Sequence, residues 1–198
     1  MKLIAISQRV QTFEKYNEVR DLLDQRLNSF FIDAGYLPVP IPNALNDQII
    51  GQWLNSIQPT ALILSGGNDI GEDPNRDNVE MNLLNYAKDR NCPVLGICRG
   101  MQMMTCWAGG TLKPVKGHVA SRHNITGEIT GNVNSFHKFA ATKCPSEFIT
   151  LATSDDNEIE AFRHVTLPWE GWMWHPERDP IHHERDLTRV QNLFASQN

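Results

Sequence analysis

Cys98 is the residue whose type and setting most clearly indicate chemistry. The apolar segment 94–97 stops at this cysteine, and a helix-like apolar segment follows it. Glycines at 96 and 100 allow a sharp strand-to-helix turn that would present the thiol at its apex. Exposed N–H groups at the start of the helix would favour a thiolate or a developing oxyanion. Because a free cysteine is often only a buried packing residue, the turn alone leaves both interpretations open.

His175 has the best context of the seven histidines for acting as a base. It follows the aromatic segment 169–174, and Pro176 favours an extended conformation at the residue before it. Residues i and i+2 of an extended segment project to the same side, so Glu177 is predicted to lie beside the imidazole and orient it. The alternative is that His175 merely ends a strand and Glu177 is a solvated surface charge.

The loop Ser65-Gly66-Gly67 follows a continuous apolar segment, residues 61–64. Glycines after a strand often form only a turn. Glycine also lets a backbone N–H approach a ligand closely, and this loop is expected beside the cysteine turn. The N–H groups of Gly67 and Arg99 would then form an oxyanion hole for a reaction at Cys98.

The first half of the sequence alternates predicted strands with predicted helices. Strands are predicted at 3–6, 36–40, 61–64 and 94–97, and helices over 16–30, 44–57 and 79–90. This order is typical of an α/β fold in which helices cover both faces of a parallel sheet. Ligands bind such sheets at the carboxyl ends of the strands. The loops at 7–9, 65–67 and 98–99 all follow strands, so they are expected to meet at one rim.

The second half has a different pattern. Residues 115–165 alternate in the manner of β-strands separated by glycine- and asparagine-containing turns. A last helix is predicted over 185–195. Because no linker, repeat or low-complexity segment interrupts the pattern, the sequence is interpreted as a single domain, residues 1–198.

Composition and charge argue against several classes of function. The chain has 198 residues, 40% hydrophobic and 21% charged, which is ordinary for a globular protein with a substantial core. A net charge of −5 disfavours nucleic-acid binding. The apolar start at 3–6 is too short for a signal peptide, and no segment reaches the length of a membrane span. We therefore expect a cytoplasmic protein with reduced thiols, in which Cys92, Cys106 and Cys144 are inert packing residues.

Two other clusters are assigned ordinary structural roles. Residues 182–184 near His175 could suggest a metal site, but adjacent histidines do not easily converge on one ion, so no metal or cofactor is predicted. The tryptophans at 169, 172 and 174 alternate as in a strand. They are assigned to the core rather than to a stacking pocket for a ligand.

Five motifs occur in order along nearly the whole chain. They are Leu64-Ser65-Gly66-Gly67, Gly96-Ile97-Cys98-Arg99-Gly100-Met101-Gln102, Gly109-Gly110, Val133-Asn134-Ser135-Phe136-His137 and His175-Pro176-Glu177. As a set they are specific, and the sequence resembles the class I glutamine amidotransferase-like family, in particular its free-standing γ-glutamyl hydrolases. The resemblance implies a flavodoxin-like three-layer fold, with a parallel or mixed sheet, helices on both faces and an additional β-rich segment.

The same resemblance implies a role for each matched residue. Cys98 would be the nucleophile, His175 the base and acid, and Glu177 the residue that orients His175. Gly67 and Arg99 match oxyanion-hole positions. The positions that bind the glutamyl group are matched by Gln102, Asn134, Ser135, Phe136 and His137. The implied reaction is hydrolysis of a γ-glutamyl amide or phosphoramidate bond in a small molecule, through a γ-glutamyl thioester and without a cofactor.

The sequence departs from the family pattern on the leaving-group side. Lys138 stands where many γ-glutamyl hydrolases have a second histidine, and the loop 68–79 is brief where aminobutyrate-cleaving members have a long insertion. A wider mouth and a bulkier leaving group are expected, as in the small hydrolases of capsule phosphoramidate pathways that cleave γ-glutamyl-CDP-amidate. Arg9, Arg122 and His123 are candidate contacts to an anionic leaving group, although arginines are also common on ordinary surfaces.

Two other functions fit the same sequence. One is a glutaminase subunit that supplies ammonia to a separate synthetase, since the chain carries no synthetase domain of its own. The other is a non-catalytic binding protein on the same fold, against which the combination of Cys98, His175 and Glu177 argues. The preferred hypothesis needs no synthetase partner, and the oligomeric state is left open.

Overall fold

The computed structural model describes residues 1–195 and is built around a nine-stranded mixed sheet. The strands are β1 (Lys2–Ser7), β2 (Arg9–Phe13), β3 (Glu18–Leu22), β4 (Tyr36–Ile41), β5 (Ala61–Leu64), β6 (Val94–Ile97), β7 (Leu112–Pro114), β8 (Val119–Gly127), β9 (Gly131–Phe136), β10 (Phe139–Ala141), β11 (Phe148–Ser154), β12 (Ile159–His164) and β13 (Trp169–Trp172). The helices are α1 (Gln25–Asp33), α2 (Asp47–Ile57), α3 (Pro74–Arg90), α4 (Arg99–Trp107) and α5 (Glu184–Ala195), with short 3-10 helices at Glu14–Tyr16 and Pro176–Arg178.

The main sheet confirms the predicted α/β fold. Its strand order is β4-β1-β5-β6-β13-β12-β11-β8-β9, parallel from β4 to β13 and antiparallel beyond. Helices α1 and α5 pack on one face through Phe30 and Phe194, whereas α2, α3 and α4 pack on the other through residues such as Leu54, Leu83 and Met104. Alternate residues of each central strand therefore enter two separate cores.

The predicted helix over 16–30 is wrong in its first half. Residues 9–22 instead form a two-stranded antiparallel ribbon, β2 with β3, in which Thr12 pairs with Val19. Val19 is 69% exposed. The helical spacing of Val19 and its apolar neighbours therefore does not correspond to a buried helix face. Helix α1 starts only after Asp24, whose side chain accepts a hydrogen bond from the Arg26 N–H and caps the helix there.

Capping residues also move the starts of two other predicted helices. Asn46 caps α2, which begins three residues later than predicted. Asp73 caps α3 and Pro74 occupies its first turn, so α3 begins five residues earlier than predicted. Much of the predicted loop 68–79 is therefore helical, and the true loop ends at residue 73.

Several other predicted elements agree with the structure. Strands β5 and β6 have the predicted bounds, β4 lies at the sheet edge as its prolines indicated, and residues 115–165 are largely β-structure. The tryptophans of the 169–174 segment are at most 1% exposed and lie in the cores. No helix within residues 1–195 combines the length and the apolar character needed to cross a membrane.

The turn between β6 and α4 packs its backbone directly against neighbouring backbone. A Cβ atom on Gly100 would lie 2.1 Å from the carbonyl oxygen of Leu64, and one on Gly96 would lie 2.6 Å from the carbonyl carbon of Gly100. Helix α4 thus starts directly against strand β5, at a distance that only glycine permits.

We expect Gly100→Ala to lower the free energy of unfolding by about 3 kcal/mol, because its methyl group would overlap backbone that cannot move freely. Gly51→Ala is the matched control, since a Cβ at this helical glycine meets nothing within 4 Å. It should stabilise the protein by about 0.5–1 kcal/mol. Denaturant titration of both variants is the measurement, and equal effects would contradict the close contact.

Candidate active site

Cys98 lies at the carboxyl end of β6, on a backbone turn that few residues adopt. Its φ of 52° and ψ of −105° place it outside the helical region, and Arg99 begins α4 immediately after it. The backbone N–H groups of the first helical turn lack carbonyl partners within the helix and point toward the turn. The turn predicted at Cys98 is therefore present, with the thiol 6% exposed at the floor of a cleft.

The cleft has a volume of about 280 Å³. It is lined by Arg9, Gly67, Asn68, Asp69, Glu72, Cys98, Arg99, Gln102, Phe136, His137 and Lys138. The three loops expected at one rim of the sheet, at 7–9, 65–67 and 98–99, each contribute to this lining. A smaller adjoining cavity, which shares Arg9 and Gly67 with the cleft, is lined by His175 and Glu177.

His175 and Glu177 form a buried pair. The Nδ1 atom of His175 lies 2.7 Å from Oε1 of Glu177, and both side chains are 3% exposed. The contact is confirmed, and His175 is extended as predicted, with φ −106° and ψ 91°. The segment does not stay extended to Glu177, which lies in a 3-10 helix that starts at Pro176. The 3-10 turn brings the carboxylate back to the ring of the residue that precedes the helix.

The charge of His175 depends on its neighbours. Burial favours the neutral ring, but the negative charge of Glu177 and its hydrogen bond to the ring, together with the nearby Cys98, raise the pKa of His175 to about 9. On its other side the imidazole packs against Gly66, where a Cβ atom would lie 2.6 Å from Cε1 of the ring. The second residue of the Ser65-Gly66-Gly67 loop is therefore glycine for a steric reason.

Asn134 holds the backbone of His175. Its Oδ1 accepts a hydrogen bond from the His175 N–H at 3.0 Å, and its Nδ2 donates to the His175 carbonyl at 2.8 Å. A paired amide of this kind fixes the segment that enters the 3-10 helix. Asn134, predicted to bind the glutamyl group, thus contacts the His175 segment from β9 across the sheet.

The loop facing Cys98 is held by Arg76, a fully buried arginine at the start of α3. Its guanidinium donates to the carbonyl oxygens of Ser65, Gly66 and Gly67, at 2.8, 3.1 and 2.6 Å. Gly67 has a φ of +88°. Because Arg76 holds its carbonyl, a side chain from α3 fixes the orientation of this peptide group.

Glu80 lies one turn further along α3 and connects Arg76 to the turn at Cys98. It accepts hydrogen bonds from Ser7 at 2.7 Å and from Arg76 at 3.1 Å, and it forms an ion pair with Arg99, which also pairs with Asp77. Burial opposes the charge of Glu80, but Arg76 and Arg99 overcome it and hold the pKa of the carboxyl below its ordinary value.

The sequence does not predict Arg76 and Glu80 as site residues. Arg76 falls in the predicted loop 68–79, and Glu80 falls in the predicted helix 79–90. The one available signal was their i, i+4 spacing after Asp73 and Pro74, a pattern typical of a helix start. Nothing in the sequence indicated that this pair would be buried.

The other residues predicted to bind the glutamyl group are divided by the structure. Gln102, Phe136 and His137 line the cleft, and Nε2 of Gln102 donates to the Phe139 carbonyl at 2.8 Å. The Ser135 hydroxyl donates instead to the His118 carbonyl at 2.8 Å and is fully buried. Ser135 therefore supports the wall of the cleft and does not line it.

The three candidate leaving-group contacts lie in different places. Arg9 crosses the loop at 65–67, within 3.2 Å of where a Cβ of Gly67 would lie, and lines the cleft. Arg122 is paired with Asp179 at 2.6 Å and lines a separate depression on the other side of Phe136. His123 faces the buried Glu160 at 3.3 Å and is not in the cleft lining.

The remaining cysteines and histidines have structural settings. All four cysteines are free, and burial raises the pKa of Cys92 to about 11. His182 pairs with Asp33 and His183 with Asp179, so the adjacent histidines have separate partners. The one group of three possible metal ligands within residues 1–195 is instead His118, His123 and Glu160.

Comparison with known proteins gives consistent matches. A family model described as Glutamine amidotransferase class-I matches residues 14–194. The γ-glutamyl-CDP-amidate hydrolase of Campylobacter jejuni subsp. jejuni serotype O:2 is 30% identical over 96% of this chain and 94% of that protein. A subunit of the glutamine-hydrolysing GMP synthase of Methanothermobacter thermautotrophicus is 32% identical over 80% of this chain and 85% of that protein. A Thermoplasma acidophilum structure proposed to be a GMP synthase subunit superposes with a TM-score of 0.73 at 19% identity, over 98% of this chain and 94% of its own.

We expect Glu80→Gln to lower the free energy of unfolding by about 3–5 kcal/mol at pH 7, because Arg76 and Arg99 would then be buried without their shared counter-charge. Glu18→Gln is the matched control. It breaks an ion pair with Arg20 in which both side chains are about half exposed, and should cost under about 1 kcal/mol.

The same variant also tests the pH dependence. Because the pKa of Glu80 in the folded protein is lowered, its stabilisation is complete above the ordinary value of 4.5 and is lost as pH falls below it. The wild type should therefore lose more stability than Glu80→Gln between pH 7 and pH 4. Parallel losses in denaturant titrations at the two pH values would contradict the network.

Proposed function

Since the chain belongs to the class I glutamine amidotransferase family, we propose that it is a cysteine hydrolase that cleaves a γ-glutamyl amide or phosphoramidate bond. The observation that carries the proposal is the buried His175–Glu177 pair, which lines a cavity adjoining the cleft of Cys98 and whose imidazole has its pKa raised in part by Cys98. A cysteine nucleophile needs a base, and the base needs a group that orients it. A relative named as a γ-glutamyl hydrolase that matches nearly the whole chain supports the same reaction class.

In the first half of the reaction, Cys98 transfers its proton to His175 and the thiolate attacks the γ-carbonyl carbon. The carbonyl electron pair moves to oxygen, and the N–H groups of Gly67 and Arg99 stabilise the resulting oxyanion. His175 then donates its proton to the leaving nitrogen as the C–N bond breaks. The products of this half are the free amine or amidate and a γ-glutamyl thioester on Cys98.

In the second half, His175 acts as a base toward water. The neutral imidazole accepts a proton while the water oxygen attacks the thioester carbonyl, again with its oxyanion at Gly67 and Arg99. Collapse of this intermediate breaks the C–S bond, releases glutamate and returns the proton to sulfur. Glu177 stabilises the imidazolium that forms in each half.

The leaving group that we propose is a nucleoside diphosphate amidate. Arg9 lies across the loop that carries Gly67, so a diphosphate attached to the scissile nitrogen would lie within reach of its guanidinium. Lys138 adds a second cation to the cleft lining. Asp69 and Glu72 line the same cleft and would complement the α-ammonium of the glutamyl group. The name of the Campylobacter relative supports this substrate class.

A second candidate is a glutaminase subunit that delivers ammonia to a synthetase. The Methanothermobacter relative named as part of a GMP synthase, 32% identical over 80% of the chain, favours it. The chemistry at Cys98 would be the same, with ammonia as the leaving group. The two candidates differ in whether a partner protein is needed for turnover.

We expect Cys98→Ala to lower the rate of glutamate release by about 10⁴-fold or more, because the acyl intermediate could no longer form on sulfur. Cys106→Ala, in the same helix, is the matched control and should keep wild-type activity. Mass spectrometry of the wild type during turnover should find the γ-glutamyl adduct on Cys98. Glutamate release by the folded Cys98→Ala protein would show that the proposed mechanism is wrong.

The leaving group is tested by comparing kcat/KM for glutamine, γ-glutamyl-γ-aminobutyrate, γ-glutamyl-glutamate and a γ-glutamyl nucleotide amidate. We expect the nucleotide amidate to be the best substrate. Arg9→Ala should lower its kcat/KM by about 10–100-fold, the effect of one charge-assisted hydrogen bond, and should lower the value for glutamine less. Activity on glutamine alone, and only with a synthetase added, would favour the glutaminase subunit.

A further inference from the structure

A cluster of three histidines and one carboxylate lies beside the cleft. His137 lines the cleft, and none of the four side chains takes part in the mechanism above. His118 precedes β8, His123 lies on β8, His137 follows β9 and Glu160 lies on β12. Glu160 is fully buried, and His118 and His137 are at most 3% exposed. His123 lies at the rim of the cluster, with its side chain 14% exposed.

The ligand-type atoms of these four side chains converge. Oε1 of Glu160 lies 3.3 Å from Nδ1 of His118, 3.3 Å from Nε2 of His123 and 3.4 Å from Nε2 of His137. Nδ1 of His118 and Nε2 of His137 are 3.1 Å apart. One atom each from His118, His123 and Glu160 lie within 4.8 Å of one another.

The outer partners of two rings determine where their lone pairs point. Nδ1 of His137 lies 3.1 Å from the carbonyl oxygen of Phe139, which can only accept, so the proton of the neutral ring is on Nδ1. Nε2 of His118 lies 3.0 Å from a carboxylate oxygen of Asp156, so the proton of that ring is on Nε2. In their neutral forms, the two rings would direct lone pairs at each other and at Glu160.

Hydrogen bonds within the cluster leave three atoms of Glu160 and His123 unsatisfied. Both carboxylate oxygens of Glu160 and Nε2 of His123 are buried and have no hydrogen-bond partner with acceptable geometry. The separations of 3.3–3.4 Å from Glu160 are also longer than the 2.7–2.9 Å typical of a charge-assisted hydrogen bond. Buried polar atoms left in this state are costly, and a bound cation would satisfy them.

We propose that His118, His123, His137 and Glu160 form a binding site for one divalent metal ion of the Zn²⁺ class. Zinc at about 2.0–2.1 Å from each ligand in a tetrahedron gives ligand separations of about 3.3 Å, close to the four separations measured here. Imidazole nitrogens with one carboxylate are the donor set that zinc and similar borderline ions prefer.

The surroundings match those of metal-binding histidines. A ligating imidazole usually donates its other N–H to a carboxylate or a backbone carbonyl. Asp156 and the Phe139 carbonyl are such partners for His118 and His137. The charges also balance, because the carboxylates of Glu160 and Asp156 together offset the two positive charges of the ion.

His118, His123 and Glu160 form the group of converging ligand atoms, and Nε2 of His137 lies 3.4 Å from Glu160. With all four bound, the ion would have no open position, which indicates a structural role. The Phe139 carbonyl accepts from both His137 and Gln102, and Gln102 lines the cleft. The ion would therefore fix the segment 137–139, which forms one wall of the cleft, without contacting the reacting atoms.

The test uses chelator-stripped protein titrated with Zn²⁺ against a chromophoric chelator, and with Co²⁺ by visible absorption. A Cys98→Ala background removes the thiol of the active site as a competing ligand. We expect one equivalent of either ion per chain, with a four-coordinate Co²⁺ spectrum that lacks sulfur charge-transfer bands. Added Zn²⁺ should also raise the Tm of the stripped protein.

His123→Ala and Glu160→Gln should weaken Zn²⁺ binding by at least about tenfold and remove the Tm increase. His183→Ala, which truncates a half-exposed histidine elsewhere, is the matched control and should bind normally. Circular dichroism checks that each variant folds. If Glu160→Gln does not fold, His123→Ala carries the test, because His123 lies at the rim of the cluster and tolerates truncation. No stoichiometric binding, binding that requires Cys98, or binding unaffected by both variants would overturn the proposal.

Discussion

The carboxylate of Glu80 holds together the elements on which the candidate site depends. It contacts Ser7 at the end of β1, Arg76 in its own helix and Arg99 at the start of α4. Without it the two buried arginines would repel each other and Arg76 would lack its counter-charge, which is a costly state for any interior. With it, the guanidinium of Arg76 is free to hold the three carbonyl groups of the loop that faces Cys98.

The turn at Cys98 and the loop at 65–67 are thus positioned by one network, and the sheet adds a second constraint. Cys98 occupies a backbone conformation that costs about 1–3 kcal/mol for a residue other than glycine. Its N–H donates to the Trp172 carbonyl at 2.7 Å, because β6 lies between β5 and β13. Gly100 permits α4 to start against Leu64. The strained turn persists because the strands on both sides leave no room for an alternative.

Local patterns predicted the fold well where apolar segments are continuous and poorly where they are not. Strands β5 and β6 have the predicted bounds because all four residues of each are buried on both faces. The second half of the ribbon, residues 16–22, is predicted as part of a helix because exposed apolar residues such as Tyr16 and Val19 have helical spacing. Side-chain caps at Asn46 and Asp73, rather than hydrophobic periodicity, decide where α2 and α3 begin.

The sequence by itself determined the residues with chemical capacity: a cysteine between glycines, a histidine two residues before a glutamate, and a glycine loop after a strand. These are short-range features, because each depends on residues within a few positions of one another. Only the tertiary structure decided which distant groups complete them. Asn134 holds His175 from 41 residues away, and Ser7 reaches Glu80 across 73 residues. The same holds for the cluster around Glu160. Contacts of this kind exist only after the strand order of the sheet is set, and no local pattern encodes that order.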